Sequence, residues 1–209
     1  MRYVGLFSGI NVGSRRIKTA DLVGLLGETG VDNPRTFIQS GNVSFSAEPL
    51  VSTIEKSEIT DRIESAFLER FAFTSSLFLY PLDRFKEIID LAINISSTRN
   101  NALEASQSPY QADQDEEIEI SPWPVERDRR ETIVFYKGDP PTIVTPITSP
   151  KGDLIISRCD PDFALVSWKL LSGKPPSMNF LTNNFQQPFT SRFVHTANKF
   201  LDFEQKGSP

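Results

Sequence analysis

Hydrophobic and polar residues alternate at the start of the chain, where residues 3–8 have the two-residue period of a β-strand. Val4 and Leu6 would lie on one face of this strand, and Tyr3 and Phe7 on the other. The pattern therefore predicts that a β-strand opens the chain.

Two segments with a helical apolar period follow this strand. Thr19 is predicted to cap the first helix, which Gly30 would end in the left-handed conformation. Ser57 is predicted to cap the second helix. The apolar stripes are Leu22, Leu25 and Leu26 in the first helix, and Ile59, Ile63, Ala66, Phe67 and Phe71 in the second.

A β-hairpin is predicted between these helices. Two β-type runs within residues 35–46 flank Gly41-Asn42, and glycine supplies the positive φ that a tight two-residue turn requires. With that turn, Ile38 faces Phe45, and both share the core face with Val43.

A strand at residues 76–80 completes the order strand, helix, hairpin, helix, strand, which is that of a split βαβ unit. We therefore predict an α+β fold of two linked ferredoxin-like subdomains, the second degenerate. The first subdomain would span residues 1–92 with its following helix, and the second residues 131–209. Residues 93–130 lose periodicity and are predicted to be an irregular acidic insertion.

The second half also mixes predicted strands with helices. A buried strand is expected at 131–136 and a strand pair at 154–157 and 164–168. Ser191 is predicted to cap the final helix. Its apolar stripe would be Phe193, Ala197 and Phe200.

Composition narrows the class of protein. The chain has 209 residues, of which 38% are hydrophobic, and this fraction is enough for a packed core. Its net charge of −5 disfavours a nucleic-acid backbone as the main partner. No apolar run approaches the length of a membrane span, and no signal-peptide pattern is present. Cys159 is the only cysteine, so an intramolecular disulfide is impossible and a cytoplasmic location is expected.

Known chemical motifs are missing from the sequence. A single histidine and a single cysteine exclude zinc sites built mainly from those residues, and no metal or cofactor is predicted. No serine has the surroundings of a hydrolase nucleophile. The sequence alone therefore leaves open whether the protein is an enzyme, and it leaves the oligomeric state open.

Two motifs in the first half resemble a widespread bacterial family, domain of unknown function 1697. They are the strand and loop at residues 6–13, LFSGINVG, and the hairpin at residues 35–45, RTFIQSGNVSF. The segment 190–196, TSRFVHT, is similar to the family's opening of the last helix. The resemblance implies two linked α+β subdomains of ferredoxin-like character, and no established activity.

The chain departs from the family pattern at three places. Ser8 stands where the family has arginine, and Phe193-Val194-His195 replaces Asn-Trp-Asn. The family's Ser-Lys-Leu segment, expected near residues 173–176, is absent. If those family residues form a site, this chain has lost part of it.

Polar residues of the three motif segments are the candidates for a binding site. Exposed amides and Arg15 in the first loop can hold a phosphate or carboxylate, although turn geometry alone also explains that loop. Arg192 and Lys199 can form a cationic patch at the start of the last helix. The candidate ligand-binding residues are Asn11, Gly13, Ser14, Arg15, Gln39, Asn42, Arg192, His195, Thr196 and Lys199.

Three functional hypotheses follow. The first is a protein that binds a small anionic or nucleotide-like ligand between its two halves. The second is an enzyme that uses His195 as acid or base. The third is a protein or nucleic-acid interaction module that uses the acidic insertion or an aromatic sheet face with Tyr3, Phe7 and Phe37, unless the second half covers that face.

Overall fold

The computed structural model describes residues 1–11, 16–38, 41–107, 129–138, 141–171 and 176–207. Within these ranges the chain forms five helices and two antiparallel sheets, a mixed α+β architecture. The first half consists of β1 (Arg2–Phe7), α1 (Thr19–Glu28), β2 (Asp32–Phe37), β3 (Asn42–Ser46), α2 (Thr53–Phe71), β4 (Leu77–Pro81) and α3 (Leu82–Gln107). Its strands lie in the order β2-β3-β1-β4, so the opening strand is central and pairs with β3 and β4.

The second half contributes the larger sheet. It consists of β5 (Arg129–Tyr136), β6 (Ile147–Thr148), β7 (Leu154–Cys159), β8 (Phe163–Lys169), α4 (Asn179–Phe185), β9 (Phe189–Phe193) and α5 (Val194–Lys206). The strand order is β6-β7-β8-β5-β9. Strand β9 continues directly into α5, as β4 continues directly into α3.

Helices α3 and α5 lie between the two sheets and share one apolar core with both. Val4 and Leu6 of β1 belong to this central core, as their alternation predicted. Tyr3 and Phe7 point to the opposite face of the first sheet, where α1 and α2 cover them. A third apolar cluster joins the outer face of the second sheet to α4. No helix within the described ranges combines the length and apolar character needed to cross a bilayer.

The link between β2 and β3 is longer than predicted. Phe37 pairs with Asn42, so residues 38–41 form the link and Asn42 belongs to the strand. The predicted two-residue turn is wrong, although Gly41 does adopt a positive φ of 74°. Ile38 has a φ of 50° and is exposed, because the wider link turns it away from the core. The other two predicted core positions of the hairpin, Val43 and Phe45, are buried.

Two predicted helix caps are wrong. Helix α1 begins at Thr19 itself, and no side-chain hydrogen bond caps it. Helix α2 begins at Thr53, upstream of Ser57, because Ser52 and Glu55 form a reciprocal capping box. Gly30 has the predicted positive φ, 76°. The apolar stripes of both helices pack into one cluster as predicted.

Residues 189–193 form strand β9 where the sequence predicted the approach to a helix. Ser191 pairs with Val134 of β5 and does not cap α5. Phe193 is 43% exposed and lies outside the apolar stripe, whereas Ala197 and Phe200 are buried as predicted. Pairing with β5 determines this strand, and such tertiary context is not encoded in the local sequence pattern.

Helix α3 continues to Gln107, well beyond the predicted start of the irregular insertion at residue 93. Ile93 and Ile95 pack against the central core, and this tertiary contact favours helix beyond the predicted boundary. The remainder of the predicted acidic insertion, residues 108–128, lies outside the described residues.

Tyr3, Phe7 and Phe37 do not share one face of the first sheet. The first two are buried beneath α1 and α2, not beneath the second half. Phe37 lies on the central face and stacks on Phe200, with ring centroids 5.5 Å apart. The proposed aromatic face for nucleic acid is therefore wrong, since its members are covered from two sides.

Candidate functional site

Arg192 of β9 connects the two halves of the molecule. Its Nε donates to Asn42 Oδ1 at 2.6 Å, and its Nη2 donates to the carbonyl oxygen of Phe7 at 2.9 Å. Its Nη1 donates to Thr190 Oγ1 and to the carbonyl oxygen of Ser191, both at 2.8 Å. The side chain of Arg192 thus joins the second sheet to the ends of β1 and β3 in the first sheet.

The guanidinium of Arg192 keeps its charge although it is buried. Removal from water lowers the pKa of Arg192 to about 10, which is still well above neutral pH. Hydrogen bonds that involve a charged group contribute roughly 1.5–3 kcal/mol each. The bonds of Arg192 therefore offset much of its desolvation, and a positive charge is fixed at the junction.

Gly41 lets the β2–β3 link approach the end of β1 closely. A Cβ atom at this position would stand 3.0 Å from Phe7 Cβ and 3.1 Å from the side chain of Ile10. The Phe7 amide donates to the Gly41 carbonyl oxygen at 2.8 Å. Because Arg192 joins β9 to the same place, all three motif segments meet at one end of the molecule.

A cavity of about 470 Å³ lies beside this junction. Its walls come from the outer face of the second sheet, the approach to α4 and the β2–β3 link. Apolar side chains form most of the lining: Ile38, Leu154, Val166, Trp168, Pro176, Met178, Leu181 and Phe193. Its polar residues are Thr132, Ser191, Arg192 and Thr196.

Trp168 occupies a fixed position in the cavity wall. Its indole Nε1 donates to Thr132 Oγ1 at 3.0 Å. The ring centroid of Phe193 lies 5.6 Å from that of Trp168, so the two aromatic side chains form one continuous apolar surface.

The start of α5 supplies the polar end of the cavity. Phe193 precedes the helix without capping it by a side-chain hydrogen bond. The first amides of a helix have no intrahelical acceptor and carry partial positive charge. Thr196, in the first turn, lines the cavity together with Ser191 and Arg192. This end is therefore electropositive and has hydroxyl groups that can donate hydrogen bonds.

The structure brings Asn42, Arg192 and Thr196 of the predicted site together. His195 and Lys199 are exposed on α5 and are not among the described residues that line the cavity. Asn11 accepts a hydrogen bond from the Ile17 amide at 2.8 Å, which gives it a role in its own loop. The other predicted residues, Gly13, Ser14, Arg15 and Gln39, lie outside the described residues.

The apolar wall of the cavity was missed in the sequence. Val166 and Trp168 belong to a predicted strand, but nothing local shows that they face Met178 and Leu181 of a later segment. Phe193, one of the departures from the family resemblance, lines this cavity.

Comparisons with known proteins place the chain in a family. A solved structure with a similar fold is that of the conserved bacterial protein SP0830 from Streptococcus pneumoniae, with a TM-score of 0.52 and 18% sequence identity. The similarity covers 96% of this chain and 97% of that one. No curated protein matches the sequence significantly. The model of the family described as "Protein of unknown function (DUF1697)" matches residues 1–136, and the chain therefore belongs to this family, whose function is unknown.

Proposed function

We propose that the protein binds a small anionic, nucleotide-like molecule in the cavity beside Arg192. The observation that carries this proposal is the meeting of an apolar wall and an electropositive end within one cavity of about 470 Å³. Small-molecule sites combine a mainly apolar lining with a few polar groups that set orientation, and typically enclose about 300–1,000 Å³.

The apolar wall suits a flat ring system. Trp168 and Phe193 form an aromatic surface on one side, and Met178 and Leu181 supply flexible and branched aliphatic groups. Base-sized rings gain affinity by stacking on aromatic side chains, by roughly 1–3 kcal/mol per ring. Phe193, where the family motif has asparagine, makes this wall more apolar than the family pattern would.

The polar end suits the acidic group of the same ligand. Arg192 fixes a positive charge there, and its hydrogen bonds to Asn42 and Phe7 prevent it from moving away. The uncapped start of α5 adds partial positive charge, and Thr196 offers a hydroxyl. In this arrangement Arg192 acts mainly through its electrostatic field, because its hydrogen bonds to protein acceptors already position it.

Each half is, in this proposal, a ferredoxin-like unit, and the second is a degenerate copy. The order β2-β3-β1-β4 in the first sheet supports this, because β7-β8-β5-β9 repeats it in the second. The second copy has strand β6 and irregular backbone in the described residues between β5 and β7, where the first has α1. The ligand cavity then lies where the end of β1 and the start of β3 in the first copy meet the end of β9 in the second.

Tryptophan fluorescence tests the proposal directly. The chain has two tryptophans, so a Trp123→Phe variant leaves Trp168 as the sole reporter in the cavity wall. We expect nucleoside monophosphates or aromatic carboxylates to change the Trp168 emission saturably. Thr196→Val should weaken this binding about tenfold, the loss of one hydrogen bond to a charged group, about 1.4 kcal/mol.

A matched control separates binding from general effects. Thr148→Val removes an exposed hydroxyl from β6, away from the cavity, and should leave the affinity unchanged. If no compound of either class alters Trp168 emission at millimolar concentration, the proposal is wrong. Equal losses in the two threonine variants would also contradict it.

A further inference from the structure

We infer a second anion-binding site, for a small phosphate-bearing molecule, in a separate cleft between the two halves. This cleft encloses about 550 Å³. The first turns of α2 and strand β4 line it from the first half, and residues 136–138 and 161–162 line it from the second. Its lining includes two lysines, Lys56 from α2 and Lys137 from the end of β5.

The two ammonium groups are held over a buried aromatic floor. Lys56 Nζ lies 5.3 Å from the ring centroid of Tyr80, and Lys137 Nζ lies 5.8 Å from that of Phe78. Both rings are buried, and both residues line the cleft. Cation–π attraction of this kind positions a lysine without neutralising its charge.

The two lysines differ in their partners. Lys137 Nζ donates to Glu64 Oε1 at 2.8 Å. Among the described residues the Lys56 ammonium makes no hydrogen bond or ion pair, and its contact is the ring of Tyr80. Burial lowers the pKa of Lys56. The negative charge of Asp162 raises this pKa, and the positive charge of Lys137 lowers it further. A bound anion would relieve the repulsion between the two lysines and restore the pKa of Lys56.

Two carboxylates, those of Asp61 and Asp162, line the cleft together with the two lysines. Asp162 is held by Arg84, whose Nε and Nη2 donate to it at 3.0 and 2.8 Å, so its charge is already compensated. Asp61 accepts a hydrogen bond from Ser57 at 3.2 Å. Lys56 is therefore the lysine of the cleft whose ammonium makes no hydrogen bond within the described residues, although Asp61 and Asp162 keep negative charges in the same lining.

The chemistry of the lining favours a phosphate group. The hydroxyls of Ser57 and Thr60 already donate to Asp61 and to the Lys56 carbonyl oxygen, so Thr53 supplies the lining hydroxyl that makes no hydrogen bond within the described residues. Hydroxyls with lysines are common phosphate ligands. A phosphate dianion between Lys56 and Lys137 would connect α2 of the first half with β5 of the second. The site is separate from the cavity beside Arg192 and does not depend on it.

Amine labelling tests the inference without knowledge of the natural ligand. The probe is inorganic pyrophosphate, compared with sodium chloride at equal ionic strength, and the readout is acetylation of each lysine by acetic anhydride, measured by mass spectrometry. We expect pyrophosphate to slow the acetylation of Lys56 at least threefold, because the bound anion favours the unreactive protonated amine. Lys86, which is paired with Asp90 on α3, should not respond.

The variant Lys137→Ala completes the test. It removes half of the proposed pair at an exposed position, so the fold should persist, and pyrophosphate should then protect Lys56 less than twofold. Equal protection of Lys56 and Lys86 would overturn the inference, and so would full protection of Lys56 in Lys137→Ala. Because Trp168 takes no part in this readout, failure here is distinguishable from failure of the site beside Arg192.

Discussion

The two regions where the halves meet use positive charge in opposite ways. Arg192 is buried, and its guanidinium donates to Asn42, Phe7, Thr190 and Ser191, so its charge is incorporated into the fold. Lys56 lies at the edge of a cleft, and within the described residues its ammonium makes no hydrogen bond and stands 5.3 Å from the ring centroid of Tyr80. A cation whose donors are already used stabilises the fold, whereas one with unused donors is available to a ligand.

Removal of Arg192 should have the largest effect. In Arg192→Ala the buried acceptors on Asn42 and Phe7 lose their donor, and each such loss costs roughly 1–3 kcal/mol. We expect the free energy of unfolding to fall by about 3 kcal/mol or more, as measured by urea denaturation. Lys56→Ala, the matched variant at the other region, should change it by less than about 0.5 kcal/mol. If Arg192→Ala and Lys56→Ala lowered the free energy of unfolding by similar amounts, the contrast between the two regions would be wrong.

A smaller loss of stability is expected from a substitution where the β2–β3 link packs against β1. Gly41→Ala places a methyl group 3.0 Å from Phe7 Cβ at a residue with a φ of 74°, so both contact and backbone become strained. We expect a loss of about 1–2 kcal/mol in the same denaturation experiment.

Gly27→Ala is the control for Gly41→Ala. It lies within α1, where a Cβ atom would meet nothing within 4 Å, and alanine is the better helix former by about 1 kcal/mol. It should therefore stabilise the protein. Stabilisation by both changes would show that the close approach at Gly41 is not required.

The smallest expected effect is on the pH dependence of pyrophosphate binding at Lys56. Burial lowers the pKa of Lys56 below the ordinary lysine value of 10.5, so this amine loses its proton at a lower pH than an exposed lysine does. Pyrophosphate protection should be complete at neutral pH and should decline as pH rises through this lowered pKa. Lys56→Arg should bind pyrophosphate up to a higher pH, measured by isothermal titration calorimetry, because guanidinium stays protonated. A pH dependence identical to that of the unchanged protein would exclude Lys56 as the titrating group.

Sequence patterns predicted the features that depend on near neighbours. The alternation of Tyr3, Val4, Leu6 and Phe7 specified which residues face each side of β1. The hairpin was located correctly, but its register was wrong. A positive φ at Ile38 permits a longer link, and nothing in local propensity favours an isoleucine in that conformation.

The candidate site was predictable only in part. Resemblance to the family selected Asn42 and Arg192, and a hydrogen bond of 2.6 Å joins them across 150 positions of the chain. The sequence placed Arg192 in the first turn of the last helix, whereas it lies in strand β9, two residues before α5 begins, because pairing with β5 is a long-range interaction. The cleft with Lys56 and Lys137 joins an exposed helix position to a strand end, and no motif marks such a pair.

Strand β9 continues directly into helix α5. This C-terminal strand–helix segment is bonded to the N-terminal sheet at both of its ends. Arg192 attaches the strand to β1 and β3, and Glu204, near the far end of the helix, contacts Arg2 and Ser44 of the same two strands at 2.8 and 2.7 Å. Part of the inner face of the N-terminal sheet is therefore covered by residues beyond 136, which the family model does not match. Without this C-terminal segment, the part of that face that α3 leaves uncovered would lose its apolar cover.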